Sequence, residues 1–275
     1  PAKLSQTISY NKFFPKKKST MAISLLVGLL FSLLVVTLLE WIDDTVRTPE
    51  EAKMVTNLPV LGLIPQAPNA INLNTPDDTI LNNFWNILNR IELSSGGEIP
   101  KTLLITSATD KEGKSAVSAW LAYVLTQKNK KVLLIDANLR KPFLHHFFNI
   151  TEGIGLSDIL IKKTTLVNSI KETNVDGLSL ITSGLTKEIP LKILGTSVLK
   201  NIIEELKNEF DVIILDTPSI QAAADTLLLS TYTQAAIFII RDSTATRPII
   251  INALESLQQT KMKILGVIFN TGKKK

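Results

Sequence analysis

The sequence predicts an α/β fold in which a mostly parallel sheet is covered by helices on both faces and is preceded by a membrane-spanning helix. Three observations support this prediction. Apolar runs of strand length alternate with helical periods through the last two thirds of the chain. A Gly-Lys-Ser sequence joins the first of these strands to the next helix, and an uncharged run of 19 residues lies near the N-terminus.

The composition restricts the classes of function. The 275 residues suffice for one large α/β domain and additional segments. With 45% hydrophobic and 20% charged residues, the chain is typical of a globular protein. The lack of cysteine excludes disulfides, thiolate metal sites and thiol nucleophiles. The net charge of +5 is mild, and no basic patch is interleaved with aromatic residues, so no nucleic-acid partner is predicted.

The first predicted element is a transmembrane helix over Met21–Leu39. As a helix this uncharged run is about 28 Å long, close to the ~30 Å hydrocarbon core of a bilayer. It is longer than the apolar part of a signal peptide and lacks a small-residue cleavage site, and a buried core helix is the alternative. Ser24, Gly28 and Ser32 share one face and would let two such helices pack closely, although small residues are common in membrane helices.

A juxtamembrane linker is predicted over residues 40–78. Within it, Thr48 and Pro49 have the residue types of a helix N-cap and first helical position. Leu58–Pro65 has the composition of an apolar connector bounded by prolines, and a polar stretch follows. The period of apolar residues in Thr79–Leu93 then predicts the first helix of a domain that runs over residues 79–275.

The motif that carries most information is Glu112-Gly113-Lys114-Ser115. It lies between an apolar strand at residues 102–106 and the amphipathic pattern of Ser115–Gln127, which is the context of a phosphate-binding P-loop. Backbone N–H groups at a helix N-terminus bind anions, and the lysine adds a positive charge. The complete P-loop pattern has glycine where Ala108 stands, so the assignment depends on residues farther downstream.

Two apolar strands farther along the chain each end in aspartate. VLLID ends at Asp136 and VIILD ends at Asp216. Since ligands of α/β sheets bind at the carboxyl ends of the strands, both carboxylates are candidates for a shared metal–phosphate site. The alternative is that each aspartate only caps the following turn. The other strands are predicted near residues 178–182, 235–240 and 264–269.

The motifs taken in order resemble the cytoplasmic half of bacterial tyrosine kinases fused to chain-length determinants of exopolysaccharide export. The resemblance rests on the apolar span, RTPEEA, LPVLGLIP, the P-loop, VLLIDANLRKP, VIILDTP and Ile264–Asn270, and it covers nearly the whole chain. It implies a P-loop NTPase-like fold, the cofactors ATP and Mg²⁺, a tyrosine-containing protein substrate, a homo-oligomer, and partners in polysaccharide polymerisation and export.

The resemblance also implies roles for individual residues. Lys114 would bind the terminal phosphates, and Ser115 would bind Mg²⁺. Asp136 would activate the tyrosine hydroxyl or organise the metal, and Asp216 would hold the metal through water. Arg140 matches the arginine of the family motif and is a candidate catalytic residue. The residues implied in nucleotide binding are Asp110, Lys111, Glu112, Gly113, Lys114, Ser115, Ala116 and Asn270. Asn270 would contact adenine, with a strand-end turn residue as the alternative.

The chain departs from the family pattern at several positions. Asp110-Lys111 replaces the Pro-Gly of the family loop, and Asn138 replaces the second aspartate. The acidic and basic residues of the ring-assembly helix are replaced by Asn82, Trp85 and Leu88. None of the three tyrosines lies in the stretch 271–275, where the family has a tyrosine-rich tail that is either cut off or lacking here.

Two functions therefore stay open, an active kinase and a degenerate co-polymerase subunit that binds nucleotide and works by assembly. A positioning-type ATPase is a weaker third, because such proteins have lysine where Thr109 stands. Lysines before the span favour a cytoplasmic N-terminus, whereas ATP is cytosolic and its site follows the span. We therefore expect the C-terminal part of a longer inner-membrane protein, with residues 1–20 as an extracytoplasmic remnant and the ATP-binding domain in the cytoplasm.

Overall fold

The computed structural model describes residues 17–65, 78–185 and 190–272. The chain divides into two units after Asp44, and the second contains an eight-stranded sheet. In spatial order the strands are β1 (Val60–Ile64), β8 (Lys263–Asn270), β7 (Ala235–Arg241), β2 (Thr102–Ser107), β6 (Val212–Asp216), β3 (Val132–Asp136), β5 (Leu178–Ile181) and β4 (Lys171–Glu172). Every pairing is parallel except that of β4 with β5, which confirms the predicted α/β class.

Helices cover both faces of the sheet, because successive strand residues point to opposite faces and both are apolar. On β2, for example, Leu103 and Ile105 belong to one buried cluster and Leu104 to the other. The first cluster packs under α3 (Asp78–Ser95), α4 (Lys114–Thr126) and α5 (Leu144–Phe147). The second packs under α2 (Pro49–Thr56), α6 (Leu156–Leu160), α7 (Pro190–Leu194), α8 (Ser197–Glu209), α9 (Asp225–Ser230) and α10 (Arg247–Gln258).

The first unit contributes α1, which spans Lys17–Ile42 and includes the predicted transmembrane run. Among the residues that the structure describes, α1 is the one helix that is both long enough and apolar enough to cross a membrane. Its apolar side chains from Met21 to Leu38 are exposed to solvent. Length, composition and exposure together fit a span rather than the helix of a protein core.

The connector predicted over Leu58–Pro65 is instead strand β1, which pairs with β8. Prolines flank this short apolar run, which suggested a connector. Leu61 and Ile64 are nevertheless buried, and the strand forms one edge of the sheet. Residues before it also belong to this unit, because Val46 is fully buried and α2 packs on α10. The expected linker therefore contributes to the sheet up to Ile64, and the expected polar stretch at 66–77 lies outside the described residues.

Helix α2 confirms the predicted helix start after the membrane span. Thr48 has extended backbone angles, and its hydroxyl accepts a hydrogen bond from the Glu51 N–H at 3.2 Å. The Glu51 carboxylate in turn accepts from the Arg47 N–H at 2.9 Å. Such reciprocal bonds satisfy N–H groups that have no partner within the helix.

We predict that Gly62→Ala destabilises the domain, because Gly62 is where β1 touches α3. A Cβ there would lie 2.3 Å from Ile87 Cγ1, so the fully buried isoleucine would have to move. Overpacking of this kind costs about 1–3 kcal/mol in the free energy of unfolding. Urea unfolding of the detergent-solubilised protein measures this change in the free energy of unfolding. Leu63→Ala is the matched control, since Leu63 is 45% exposed on the same strand. Equal stability of the two variants would contradict the packing described here.

Candidate active site

The P-loop joins β2 to α4 at the carboxyl end of the sheet, and a cavity of about 530 Å³ opens beside it. The cavity is lined by Asp110, Lys111, Gly113, Lys114, Ser115, Ala116, Asn138, Lys141, Phe143, Phe147, Arg241, Asn270 and Gly272. These residues come from the P-loop, from the segment after β3, and from the ends of β7 and β8. Most of the residues expected to bind nucleotide are thus brought together.

The loop adopts left-handed backbone angles at two positions. Gly113 has φ 97°, and a Cβ there would lie 2.5 Å from Asn270 Nδ2, so glycine is required. Lys111 has φ 65° although it is not glycine. Its carbonyl accepts a hydrogen bond from Arg241 Nη1 at 3.0 Å, which helps to hold this strained conformation. Lys111 is therefore held in a left-handed conformation at a position where the family resemblance implies glycine.

Glu112 holds the loop from behind rather than facing the cavity. Its side chain is fully buried, and one carboxylate oxygen accepts from the N–H and hydroxyl of Thr109, at 2.6 and 2.7 Å. The other oxygen accepts from the Arg241 N–H at 3.0 Å. Burial raises the pKa of Glu112, and these hydrogen bonds oppose that rise. Glu112 thus fastens the loop to the end of β7.

Asn270 ends β8 beside the loop. Its Nδ2 donates to the Glu112 carbonyl at 3.1 Å, and its side chain lines the cavity. The amide thus holds the loop from the wall of the cavity. Both expectations for this residue, the ligand contact and the strand-end role, are compatible with this position.

Lys114 folds back into its own loop. Its Nζ donates to Ser107 Oγ at 3.0 Å and lies 3.4 Å from the Thr109 carbonyl. Burial lowers the pKa of Lys114, and the charge of Asp216 opposes that effect. Hydroxyl and carbonyl groups are weak partners for an ammonium ion in comparison with phosphate, so this lysine is ready to bind an anion in the cavity.

The two aspartates lie side by side below the cavity. Asp136 and Asp216 are register partners on β3 and β6, and both are buried. Ser115 Oγ donates to Asp216 at 2.5 Å, and Ser118 Oγ donates to its other oxygen at 3.2 Å. Asp136 accepts backbone N–H bonds from Asn138, Phe143 and Leu144 at 3.0–3.2 Å.

Burial is the main cause of the raised pKa values of this pair. Burial and the neighbouring charge of Asp216 together raise the pKa of Asp136 to about 7. Burial likewise raises the pKa of Asp216 to about 6, while Ser115 and Lys114 oppose the rise. Two adjacent carboxylates are thus held in a place that disfavours their charged forms, which is typical of a site built for a cation.

The donor set fits Mg²⁺. The Ser115 hydroxyl and the carboxylate of Asp216 are hydrogen-bonded to each other, and Asp136 is adjacent. The residues that the structure describes contain no group of three or more His, Cys, Asp or Glu side chains suited to a metal. Mg²⁺ is commonly held by one or two carboxylates together with substrate phosphates, so a small oxygen set beside a P-loop suffices.

Several cavity residues went unrecognised in the sequence. Lys141 Nζ forms an ion pair with Asp110 at 2.6 Å, and Asp110 also accepts from Ser219 Oγ at 2.7 Å. Together these bonds keep the pKa of Asp110 below its usual value. Phe143 and Arg241 line the cavity as well. Each follows or ends a parallel strand at the carboxyl edge of the sheet, where ligand cavities form, but its residue type gave no signal for this particular cavity.

Arg140 lies outside this cavity. Its Nε and Nη2 donate to the buried carboxylate of Asp225 at 2.8 and 3.2 Å, and this partner raises the pKa of Arg140. The pair fastens the segment after β3 to α9. The catalytic role implied for Arg140 therefore stays a proposal, with Asp225 as its observed partner.

The two histidines lie in helix α5, where His146 is exposed. His145 is 9% exposed in α5, because the apolar residues around it turn this segment into a helix packed on α4. Its ring centroid lies 4.0 Å from that of His146. Burial lowers the pKa of His145, and the proximity of His146 lowers it further.

We predict that the nucleotide-free protein becomes less stable as the pH rises in the presence of a chelator. The folded-state pKa values of about 7 and 6 exceed the ordinary value of 3.8, so the folded protein binds more protons in between. The free energy of unfolding therefore falls as the pH rises from about 4 through about 7. Urea unfolding at a series of pH values measures this trend.

Asp216→Asn should flatten this dependence and raise the stability at pH 8 by about 1–3 kcal/mol. The Ser115 and Ser118 hydroxyls can bond an amide as well as a carboxylate, so the variant loses the charge and keeps the contacts. Asp176→Asn, at an exposed position, is the control. A parent protein whose stability is level or rises between pH 5 and 8 would contradict the assignment.

Comparison with known proteins places this site in a family. Residues 104–266 match the AAA domain model. The chain is 35% identical to tyrosine-protein kinase YwqD of Bacillus subtilis over 206 residues, which are 75% of this chain and 86% of that protein. It is 28% identical over 271 residues to tyrosine-protein kinase ptk of Acinetobacter johnsonii, which are 93% of this chain but only 37% of that protein.

A solved structure shows the same similarity to tyrosine kinases. The kinase domain of Escherichia coli tyrosine kinase ETK superposes with a TM-score of 0.76 at 25% identity and covers 84% of this chain and 96% of that one. The fold, the P-loop with its two aspartates, and the sequence relatives point the same way. The chain belongs to the bacterial tyrosine-protein kinase family.

Proposed function

We propose that this protein is an ATP-dependent protein-tyrosine kinase, tethered to the bacterial inner membrane by α1, with its nucleotide site in the cytoplasm. The observation that carries the proposal is the P-loop cavity, in which Lys114 and Ser115 at the N-terminus of α4 face the buried carboxylates of Asp136 and Asp216. Phosphoryl transfer depends mainly on positioning and charge neutralisation, and this arrangement supplies both.

The geometry supports a role for each of these residues. The N–H groups at the start of α4 bind the phosphates, and Lys114 exchanges its contact with Ser107 for a terminal phosphate. Ser115 and Asp216, with Asp136, would hold Mg²⁺, and the metal would supply positive charge against the phosphates. Asp136 is buried beside Asp216, and a carboxylate at this position is also a candidate to accept the proton of a tyrosine hydroxyl. Asp136 is therefore assigned either to the metal or to this proton.

The cellular role that we propose is the control of exopolysaccharide or capsule chain length and export. The order of membrane span, juxtamembrane segment and P-loop domain supports it, because this order resembles that of kinases fused to chain-length determinants. The partners proposed are the polymerase and export machinery, a tyrosine-containing protein and further copies of the chain. The chain spans about a third of the Acinetobacter relative, so these partners concern a whole protein beyond this domain.

A second function, a nucleotide-binding co-polymerase subunit with little phosphotransfer, is favoured by one observation. Asn138 lines the cavity where the family has aspartate, and an amide adds neither a negative charge nor a base. Its oxygen accepts a bond from the Lys141 N–H at 3.3 Å, so the side chain is used to shape the loop. A measurement of phosphate transfer from ATP distinguishes the two functions.

We predict that the purified protein transfers labelled phosphate from ATP to a glutamate–tyrosine copolymer. Lys114→Met should weaken nucleotide binding at least about tenfold and abolish transfer, because it removes a charge that contacts phosphate. Lys130→Met, at an exposed site, is the matched control and should behave as the parent. Nucleotide binding is measured by calorimetry and transfer by incorporated label.

Asn138→Asp should raise the transfer rate several-fold, because it restores a carboxylate beside the phosphate site. Asn174→Asp, at an exposed site, is the control. Normal ATP binding without transfer by the parent protein would reject the kinase and support the co-polymerase subunit. Nucleotide binding that survives in Lys114→Met would reject the P-loop assignment itself.

A further inference from the structure

The cavity contains an apolar surface that binding of a nucleotide phosphate does not require. Phe143 is 43% exposed, although it lines a cavity otherwise rich in basic and amide groups. Its ring is held at two sides, since Phe147 packs edge-on with centroids 5.3 Å apart and His146 packs at 5.4 Å. The backbone is also fixed, because the Phe143 N–H donates to Asp136 at 3.0 Å. A rigid ring thus presents free surface to the site.

The strand order shows at which end of the cavity this ring lies. The P-loop follows β2, with β6 and β3 on one side of it and β7 and β8 on the other. Phe143 follows β3, whereas Arg241 and Asn270 end β7 and β8. Phe143 therefore lies on one side of the P-loop, and Arg241 and Asn270 lie on the other.

The carboxylates identify the phosphate end. Asp136 and Asp216 end β3 and β6, on the same side as Phe143. A metal held there would contact the terminal phosphates, and the phosphate that is transferred would then face the β3 side. An acceptor must approach from beyond that phosphate, in line with the bond that breaks. The segment after β3, with Phe143, is the wall of the cavity on that side.

We propose that Phe143 is the platform on which the aromatic ring of the acceptor tyrosine packs, and that it makes the site select tyrosine over serine and threonine. This inference rests on the proposed kinase function. In the transfer, the phenol oxygen forms a bond to the γ-phosphorus, the bond to the oxygen that bridges the β and γ phosphates breaks, ADP leaves, and the phenolic proton passes to Asp136 or to water.

Two physical reasons support selection at this position. Aromatic pairs in edge-on or offset arrangements gain more than their buried area alone provides. A serine hydroxyl sits directly on Cβ, so a seryl acceptor would gain no ring contact and would have to bring its backbone much closer to the phosphate. A ring bound against Phe143 also covers apolar surface that is otherwise in contact with water.

The test measures acceptor binding separately from catalysis. Full-length protein is saturated with Mg²⁺ and a non-hydrolysable ATP analogue, and a short peptide with one tyrosine is titrated in by calorimetry. A second peptide carries serine at that position. We expect the tyrosine peptide to bind more tightly than the serine peptide, and Phe143→Leu to weaken its binding about tenfold. Phe143→Trp keeps an aromatic surface and should retain most of the affinity.

Kinetics supply the second readout. Phe143→Leu should raise the KM for the tyrosine peptide by a similar factor and change kcat less, while the Kd of the ATP analogue stays within about twofold of the parent value. Leu93→Ala, on α3 and 78% exposed, is the control for loss of an exposed apolar side chain. An effect on nucleotide affinity as large as that on peptide affinity would show a structural role and overturn the inference.

The outcomes separate this inference from the kinase function. If the parent binds the tyrosine peptide in a Phe143-dependent way but transfers no phosphate, the platform stands and the kinase is rejected. If transfer is normal and Phe143→Leu leaves peptide affinity and KM within about twofold, the kinase stands and the platform is rejected. If the parent shows no measurable binding of the tyrosine peptide, or binds the serine peptide equally well, the inference is overturned.

Discussion

The juxtaposition of two buried carboxylates at the anion-binding end of α4 is the constraint on which the site depends. Asp136 and Asp216 end neighbouring parallel strands in register, so their side chains share one place and repel each other. Alone this arrangement is unfavourable, which the raised pKa values of both groups express. It becomes favourable when a cation and phosphates enter, and the rest of the sheet serves to hold the two strands in that register.

The loop opposite the carboxylates is held by a different set of interactions. The buried carboxylate of Glu112 binds Thr109 and the end of β7, and the Arg241 side chain holds the carbonyl of Lys111. These bonds explain how Lys111, which is not glycine, can keep a left-handed conformation. The departure of this sequence from the family loop is thus accommodated by contacts within the site.

Sequence patterns predicted most of the fold because the strands are short, apolar and separated by turn residues or helical periods. The strands near 102–106, 132–136, 178–182, 212–215, 235–240 and 264–269 match β2, β3, β5, β6, β7 and β8 to within one residue at each end. Strand β1 was missed, because an apolar run between prolines has the same composition whether it pairs or not. Only its contacts with β8 and α3 decide the matter.

Some residues of the candidate site could be predicted from the sequence and others could not. The P-loop and the two aspartates were predictable, because their backbone positions follow from local sequence and from the rule that parallel strands end together. Phe143 and Arg241 were not, since an aromatic or basic residue after a strand carries no signal of which cavity it lines. Glu112 was expected to bind nucleotide. Its role behind the loop depends on its contact with Arg241, which lies 129 positions away in the chain.

The central claim is that the paired carboxylates are completed by a cation and nucleotide, and proton release on binding tests it most directly. Calorimetric titration of Mg²⁺ and an ATP analogue at pH 6.5, in two buffers of different ionisation enthalpy, gives the number of protons released. Because metal ligands must be deprotonated, the account predicts release of about one proton by the parent protein and much less by Asp216→Asn. Binding with no net proton release by the parent would contradict it.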